Sequence, residues 1–290
     1  MEYSSLDVPV PGGRLAVGEW RGGDEPILAV HGLSSTHRLW SWTAGHLSAV
    51  RLIAPDLRGR GASQGLGSGY GLETHRDDLL RVLDHLEIDR ATVIGMSLGG
   101  FISVMLAAAA PDRVSRLLLV DGGFPMAGAA AFANLTREQL AGVFRDRLDR
   151  LGRDWVSLEE YRDFFIANTA PLLDPDDPVL RDYLAYDLVG EAPRLRVRMD
   201  AQAIADDSAD LFLGMSATAA AESLSVPTRM LFAQWSVGRD SAPGYTARVL
   251  EPWAKRVPGF QATLLPGTDH AATVMTDASG AAIAAELGRF

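Results

Sequence analysis

Two segments of the chain place a serine between two glycines in the pattern Gly-x-Ser-x-Gly. Ser97 lies in GMSLG, residues 95–99, and Ser63 lies in GASQG, residues 61–65. Such a serine can act as a nucleophile when it sits at a tight turn between a strand and a helix. It also needs a base to remove its hydroxyl proton as it attacks. The pattern therefore indicates two candidate serine nucleophiles for acyl-transfer chemistry.

The sequence around the two serines favours Ser97. An apolar run, residues 91–94, precedes it, and the Ala-rich stretch from Leu98 to Ala110 predicts a helix directly after it. Glycines on both sides avoid a Cβ clash in so tight a turn. Ser63 is followed by recurring glycines without apolar periodicity, which predicts a mobile loop. We predict that Ser97 is the nucleophile and that Ser63 is a turn residue.

Six histidines could supply the base, and His270 has the most favourable position. It follows the last predicted strand, in the loop PGTDH. The carboxyl ends of parallel strands share one edge of a sheet, where ligands bind, so Ser97 and His270 are expected to meet there. The four histidines for which solvated or capping roles are expected are His37, His46, His75 and His85.

The elements that must position these residues alternate between short apolar runs and helical stretches. Residues 6–20 predict an antiparallel hairpin, and the helical stretches are Trp40–Val50, Glu73–Leu86, Leu98–Ala110 and Tyr245–Val257. Continuous apolar runs are typical of strands covered by helices on both faces. We therefore predict a doubly wound α/β fold with a mostly parallel sheet. The apolar runs are PILAVHG, RLIAPD, ATVIGMS, SRLLLVDGG, TRMLFAQ and FQATLLPG.

One long segment interrupts this alternation. Helix signals dominate residues 124–223, including capping-box spacings at Thr136/Gln139 and Ser157/Glu160 and the pair Asp177-Pro178. Residues 194–199, RLRVRM, alternate and could form a short strand. We predict a helical insertion at 124–223 between two late strands, with residues 1–123 and 224–290 forming the core.

Four motifs occur in the order found in the α/β-hydrolase fold family: VHG, PDLRGRGAS, GMSLGG and GTDH. The chain resembles that family over nearly its whole length, and the 124–223 segment resembles the family's helical cap or lid. The resemblance implies a structural role for His31 beside the oxyanion loop and the catalytic order serine, acid, histidine. One departure is that Met96 stands where the family often has histidine before the nucleophile.

The acid that orients His270 has two candidates. Many members of this family carry it shortly after the strand that corresponds to TRMLFA, where this chain has no carboxylate until Asp240. Some members carry it at the end of the preceding strand, which here is Asp121. We favour Asp121 because an acid that holds one imidazole tautomer must itself be held firmly. Asp269 adjoins His270 and would need unusual backbone geometry to bind the same ring.

An oxyanion hole needs backbone N–H donors fixed in advance. Elbow geometry assigns one donor to the amide of Leu98, and we assign the second to the amide of Leu33, just after His31-Gly32.

Composition excludes several other classes of function. The chain has no cysteine, a single lysine and a formal net charge of −10, which argues against thiol chemistry, most Schiff-base chemistry and nucleic-acid binding. No metal motif or cofactor motif occurs, and no apolar run is long enough to span a membrane. Because the first residues lack signal-peptide features, we expect a cytoplasmic protein. We also expect that it binds a small-molecule substrate and that it is a monomer or a homodimer.

These residues predict a serine hydrolase that cleaves an ester, lactone or thioester through an acyl-enzyme. A serine nucleophile argues against a dehalogenase or epoxide hydrolase, in which aspartate is expected at that position. C–C bond hydrolysis, perhydrolysis and acyl transfer remain open, as does a non-enzymatic small-molecule receptor. Side chains that could make the pocket apolar or aromatic are Phe124, Met126, Phe132, Phe164, Phe165, Tyr183, Tyr186, Phe212 and Met215.

Overall fold

The computed structural model describes residues 1–67, 69–128, 132, 134–143 and 149–290. An eight-stranded sheet has the order β1-β2-β4-β3-β5-β6-β9-β10, and β7 pairs with β8 in a separate ribbon. The strands are β1 Glu2–Val10, β2 Gly13–Arg21, β3 Glu25–Val30, β4 Val50–Pro55, β5 Ala91–Met96, β6 Val114–Val120, β7 Leu188–Val189, β8 Arg196–Val197, β9 Thr228–Ala233 and β10 Gln261–Leu265.

The sheet is parallel from β4 to β10, whereas β2 is antiparallel to both β1 and β4. The predicted hairpin and the predicted doubly wound sheet are therefore confirmed. All six residues of β5 are buried, because this strand lies in the middle of the sheet with helices over both faces. At the edge, the first four residues of β10 are exposed, since only β9 pairs with it.

Helices cover the two faces of the sheet, and alternate strand residues point to opposite faces. Leu28 and Val30 of β3 belong to one apolar core, which includes residues of α2 and α3. Ile27 and Ala29 belong to a second core, which includes residues of α1 and α10. The helices are α1 Ser41–Ala44, α2 Leu72–His85, α3 Leu98–Ala109, α4 Arg137–Val143, α5 Leu158–Asn168, α6 Pro178–Asp187, α7 Ala201–Leu213, α8 Ser216–Glu222, α9 Ala247–Arg256 and α10 Asp277–Leu287.

Two helices differ from the sequence-based expectation. The predicted helix Trp40–Val50 is reduced to α1, because the amides of His46 and Leu47 donate to carbonyls three residues back, those of Thr43 and Ala44, and do not continue the α-helical pattern. The helix α10 was not predicted, although the Thr276 hydroxyl accepts a hydrogen bond from the amide of Ser279 as its N-cap. An Ala-rich stretch behind a threonine is the signal that could have found it.

Helices α4 to α8 lie between β6 and β9, together with the β7–β8 ribbon. The predicted capping contacts are present: Thr136 and Gln139 bond reciprocally, and the Ser157 hydroxyl accepts from the amide of Glu160. Residues 194–199 contribute only the two-residue strand β8. Residues 129–131, 133 and 144–148 of this segment lie outside the described residues. That 124–223 forms a distinct cap domain stays a prediction.

Within the described ranges, no helix combines the length and apolarity that a membrane crossing requires.

Candidate active site

Ser97 lies between the end of β5 and the start of α3, in the turn that the sequence predicted. Its backbone has φ 54° and ψ −122°, a conformation that costs a non-glycine residue about 1–3 kcal/mol. A Cβ on Gly95 would lie 2.3 Å from the carbonyl oxygen of Gly99, and a Cβ on Gly99 would lie 2.2 Å from that of Val30. Both positions therefore require glycine, and the turn presents the Ser97 side chain at the carboxyl edge of the sheet.

The structure brings Ser97, His270 and Asp121 together in one hydrogen-bonded chain. His270 Nε2 lies 3.0 Å from Ser97 Oγ, and His270 Nδ1 lies 2.6 Å from Asp121 Oδ2. With the Nδ1 proton directed at the carboxylate, Nε2 is free to accept the serine proton, as a general base must. Residues separated by 149 and 173 positions in sequence thus share one site.

Asp121 is held by two hydrogen bonds to β9 at the end of β6. Its amide donates to the carbonyl of Leu231, and its Oδ1 accepts from the amide of Ala233 at 3.0 Å, so both anchors lie on β9. Its φ of 44° lies in the left-handed region, which aspartate tolerates better than most residues. A Cβ on Gly122 would lie 2.2 Å from the carbonyl oxygen of Ser97, so the end of β6 packs directly on the serine turn.

The other two aspartates weighed from sequence do not contact the His270 ring. Asp240 is exposed, and its carboxylate makes no hydrogen bond or ion pair within the described part of the chain. Asp269 is buried and accepts hydrogen bonds from the amides of Gly238 and Ala272, each at 2.9 Å. Asp269 therefore fixes the loop that carries His270 and does not touch the ring.

The backbone amides of Leu33 and Leu98 both belong to segments next to Ser97: Leu98 follows it in sequence, and a Cβ on Gly32, the residue before Leu33, would lie 3.2 Å from the Ser97 Cβ. Leu98 is the first residue of α3, where a helix leaves its N–H without an intrahelical partner. Among the described residues, neither amide donates a hydrogen bond. Both predicted donors are therefore free to bind a ligand.

His31 fixes the direction of the Leu33 amide. Its Nε2 accepts from the amide of Leu57 at 3.0 Å, so the ring proton is assigned to Nδ1, which donates to the Gly32 carbonyl at 2.8 Å. Burial lowers the pKa of His31 to about 4, so the ring is neutral near pH 7. The Gly32 carbonyl and the Leu33 N–H belong to one planar peptide unit, and fixing one therefore aims the other.

A cavity of about 410 Å³ opens above Ser97 and His270. Its walls are mostly apolar, and no lysine or arginine lines it among the described residues. Five of the nine aromatic and methionine side chains considered from sequence line it, and Phe124, Phe164, Tyr186 and Met215 do not. The five that do are Met126, Phe132, Phe165, Tyr183 and Phe212.

The expectation of solvated or capping roles is wrong for two histidines. His37 is buried, with Nδ1 2.9 Å from Asp56 Oδ1, and His75 is buried, with Nε2 2.8 Å from Asp207 Oδ2. Burial by itself would raise the pKa of Asp207, but His75 and Arg60 lower it to about 2. Sequence reasoning missed these pairs because each partner lies on a distant element.

Ser63 has a structural role. It is buried in a short 3₁₀ turn, residues Gly61–Ser63, and its hydroxyl accepts a hydrogen bond from the amide of Ala16 at 2.9 Å. The prediction of a turn serine therefore holds, whereas the expectation of a mobile loop is wrong at Ser63, which is packed against β2.

Comparison with known proteins places this geometry in a family. Residues 25–186 match the family model of the α/β hydrolase fold. The chain is 33% identical over 107 residues to Lipase LipV of Mycobacterium tuberculosis, a match covering 37% of this chain and 41% of the lipase. It is 38% identical over 104 residues to 2-hydroxy-6-oxo-2,4-heptadienoate hydrolase of Pseudomonas putida, covering 34% and 38% of the two chains. The matches thus span less than half the length of these curated relatives.

The fold is also found in solved structures. That of E-2-(acetamidomethylene)succinate hydrolase superposes with a TM-score of 0.79 at 21% identity, covering 99% of this chain and 100% of the other. The family match spans more than half of the sequence, and the sheet and the Ser97 turn have the corresponding architecture. This chain belongs to the α/β hydrolase fold family.

Proposed function

We propose that the protein is a serine hydrolase that cleaves an ester, lactone or thioester of a small apolar or aromatic substrate. Ser97 acts as nucleophile, His270 as general base and acid, and Asp121 as the acid that orients the ring. The observation that carries this proposal is the continuous hydrogen-bonded chain from Ser97 through His270 to Asp121. These three hydrogen-bonded side chains lie at the base of a largely apolar cavity.

The reaction follows from the positions of these groups. His270 Nε2 takes the Ser97 proton as Oγ attacks the substrate carbonyl, and the carbonyl oxygen becomes an oxyanion beside the amides of Leu33 and Leu98. The protonated ring then donates to the leaving group, which leaves an acyl group on Ser97. A water molecule, deprotonated by His270, hydrolyses that acyl-enzyme. Asp121 keeps the Nδ1 proton in place and stabilises the imidazolium in both steps.

The lining of the cavity supports a neutral acyl group. A carboxylate brought into this cavity would lose its hydration without gaining a lysine or arginine partner among the described lining residues, which is costly. The volume of about 410 Å³ suits a small substrate. Side chains from residues 124–223 form part of the wall, which supports the proposal that this segment is a cap over the site.

Hydrolysis of a C–C bond is the second candidate, because one relative of this chain is named as a heptadienoate hydrolase. The same three side chains could carry that reaction. The substrate in that relative's name is a carboxylate, however, and the described residues that line the cavity include no lysine or arginine to pair with one. Ester, lactone or thioester hydrolysis is therefore favoured.

A substrate panel tests the proposal. Purified protein is assayed against nitrophenyl esters of increasing acyl length, aliphatic and aromatic lactones, thioesters and a vinylogous diketone acid, with Ser97→Ala as the control. Labelling by a fluorophosphonate is followed by intact mass. We expect turnover of neutral acyl substrates and one label that Ser97→Ala abolishes. Absence of both in the folded protein would contradict the proposal and favour a receptor, and turnover of the diketone acid alone would favour the second candidate.

A further inference from the structure

Three successive carbonyl groups beside Ser97 are each held by a buried side chain. We call residues 31–35 the oxyanion loop. The carbonyl of Gly32 accepts from His31, that of Leu33 accepts from Arg60 Nε at 3.0 Å, and that of Ser34 accepts from Arg150 Nη2 at 2.5 Å. The loop thus has its peptide planes fixed by an imidazole and two guanidinium groups.

Arg150 reaches this loop from the 124–223 segment. Its side chain is only 1% exposed, and its Nη1 donates to the hydroxyl of Tyr161 at 2.8 Å and lies 3.4 Å from Asp187 Oδ2. Tyr161 in turn donates to Asp187, and the guanidinium lies over the ring of Phe165, 5.3 Å from its centroid. Among the described residues, every contact that orients this guanidinium, apart from Ser34 itself, comes from the segment proposed as the cap.

Arg60 has a similar arrangement, although it follows β4. Its side chain is fully buried, its Nη1 lies 2.5 Å from Asp207 Oδ2, and the same nitrogen donates to the carbonyl of Arg58. Asp207 belongs to α7, which is also part of the 124–223 segment. Both guanidinium groups that bind the oxyanion loop therefore have their carboxylate partners between β6 and β9.

A charged guanidinium holds a carbonyl more firmly than a neutral donor does, and its planar fork keeps two directions fixed at once. Small rotations of a peptide plane matter here, because an oxyanion donor works only when it is aimed in advance. The planes on either side of Leu33 are both fixed, one through Gly32 and one through Leu33 itself. Arg150 fixes the next plane and so prevents the loop from turning away at Ser34.

We propose that Arg150 is a positioning residue for the oxyanion hole, acting through Ser34, and that the 124–223 segment thereby takes part in transition-state stabilisation. This inference rests on the proposed hydrolase function. It assigns the segment a second role besides covering the cavity, because its Arg150–Tyr161–Asp187 cluster holds the Ser34 carbonyl and so limits rotation of the loop whose Leu33 amide His31 aims. Arg150 does not itself line the cavity, and methionine in its place keeps an apolar side chain next to Phe165, so its loss is expected to lower kcat more than it weakens substrate binding.

The test compares Arg150→Met, Arg150→Lys and the double variant Arg150→Met/Asp187→Asn. The single substitution Arg150→Met leaves the Asp187 carboxylate buried without its cation, and the double variant removes that charge. The matched control is Arg51→Met/Glu19→Gln. Arg51 and Glu19 form a largely buried ion pair at the amino end of β4, at the opposite edge of the sheet from Ser97. Urea unfolding and circular dichroism show which variants are folded, and kinetics are measured on the folded ones.

We expect the Arg150 variants that lack the guanidinium to lose about 10- to 100-fold in kcat with KM nearly unchanged, less than the loss of a whole oxyanion donor. Arg150→Lys retains part of the rate, because one N–H donor is kept. Affinity for a trifluoromethyl ketone, which forms an oxyanion on Ser97, is expected to fall in parallel with kcat. Affinity for a competitive inhibitor without an electrophilic carbonyl is expected to stay unchanged. The control is expected to keep its kcat within about threefold at a similar loss of stability.

Two results would overturn the inference while the proposed function stands. In the first, the folded double variant at Arg150 and Asp187 keeps the wild-type kcat. In the second, the control at Arg51 and Glu19 loses as much kcat as the Arg150 variants, which shows a general packing effect. If the wild-type protein neither turns over a substrate nor labels at Ser97, the proposed function fails and this inference fails with it.

Discussion

Residues 95–99 and 61–65 have the same Gly-x-Ser-x-Gly pattern, and the structure uses them in opposite ways. Ser97 has a positive φ of 54° and lies 3.0 Å from the base candidate His270. Ser63 lies in a 3₁₀ turn and accepts a hydrogen bond from the amide of Ala16. Ser97 faces a cavity, whereas the hydrogen bond of Ser63 holds its loop against β2. The pattern permits a tight turn, and the elements on either side decide whether the serine is presented to a substrate.

The glycines of the two segments show the same contrast. Cβ atoms added at Gly95 and Gly99 would both collide with backbone atoms, because a strand and a helix meet there at close range. In the other segment, a Cβ on Gly61 would collide with Asp56, while Gly65 has no atom within 4 Å. Close backbone packing on both sides of the serine therefore distinguishes the turn at Ser97.

The sharpest way to break this comparison is to replace each serine with alanine. We expect Ser97→Ala to lose at least about 10⁴-fold in kcat, because the acyl-enzyme can no longer form. Ser63→Ala is expected to keep its kcat and to lose roughly 1 kcal/mol of unfolding free energy, since the Ala16 amide loses its acceptor. Steady-state kinetics and urea unfolding measure the two effects. A large loss of kcat in folded Ser63→Ala would show that the two segments are not functionally distinct.

A second pair of substitutions compares Asp121 and Asp240, the two candidates for the acid that orients His270. We expect Asp121→Asn to lose about 10³- to 10⁴-fold in kcat, because the amide no longer holds the imidazole in the required tautomer. Asp240→Asn is expected to leave kcat unchanged, since Asp240 is exposed and does not contact the ring. Kinetics of both variants on the same ester decide the assignment. A collapse in Asp240→Asn with activity retained in Asp121→Asn would reverse it.

Replacing one glycine from each segment compares the packing around the two serines. Gly99→Ala is expected to lose about 3 kcal/mol of unfolding free energy, because its Cβ would overlap the carbonyl of Val30. Gly65→Ala is expected to lose about 1 kcal/mol, from its φ of +87° alone. Urea unfolding with a common m-value measures both. Equal losses would show that backbone packing does not set the two turns apart.

Lowering the pH is expected to destabilise the loop beside Ser97, through His31, at a higher pH than it destabilises residues 61–65, through Asp56. Burial lowers the pKa of His31 to about 4 in the folded chain, against about 6.5 when unfolded, so the unfolded chain binds the proton first. Stability from His31 is therefore complete above pH 6.5 and declines by roughly 2–3 kcal/mol as the pH falls to 4. Unfolding free energies between pH 7.5 and 4.5 measure this slope. His31→Gln, as the control, is expected to flatten it, and an unchanged slope would contradict the assignment.

Asp56, which stabilises residues 61–65, loses its stabilising effect at a lower pH than His31 does. Burial raises the pKa of Asp56, but His37 and Tyr186 outweigh it and lower the pKa to about 2. Asp56 accepts a hydrogen bond from the amide of Ala62, and its stabilisation is present above pH 3.8 and lost as the pH falls toward 2. Asp56→Asn is therefore expected to remove pH dependence only below pH 4, which unfolding measurements extended from pH 4.5 down to 2 detect.

The parts of the site that follow a regular local pattern could be predicted from the sequence. The run 91–94 with flanking glycines and an Ala-rich continuation identified the turn at Ser97, and the end of a predicted strand made Asp121 the favoured of two candidate acids. The parts that depend on contacts between distant elements could not. His37 and His75 were expected near solvent, yet Asp56 and Asp207 bury them, and nothing local in the sequence indicates either partner. Arg60 and Arg150 escaped notice because charged residues are usually at the surface.

The sequence by itself determined the alternation of strands and helices, because apolar periodicity and glycine spacing act through local geometry and burial. It also determined which serine can form a strained turn, since that depends on residues within a few positions. The tertiary structure decided which acid faces His270, because β6 and β9 lie side by side and only the end of β6 holds its carboxylate in place. It likewise brought Arg150 onto the Ser34 carbonyl across 116 residues, a contact that no local pattern encodes.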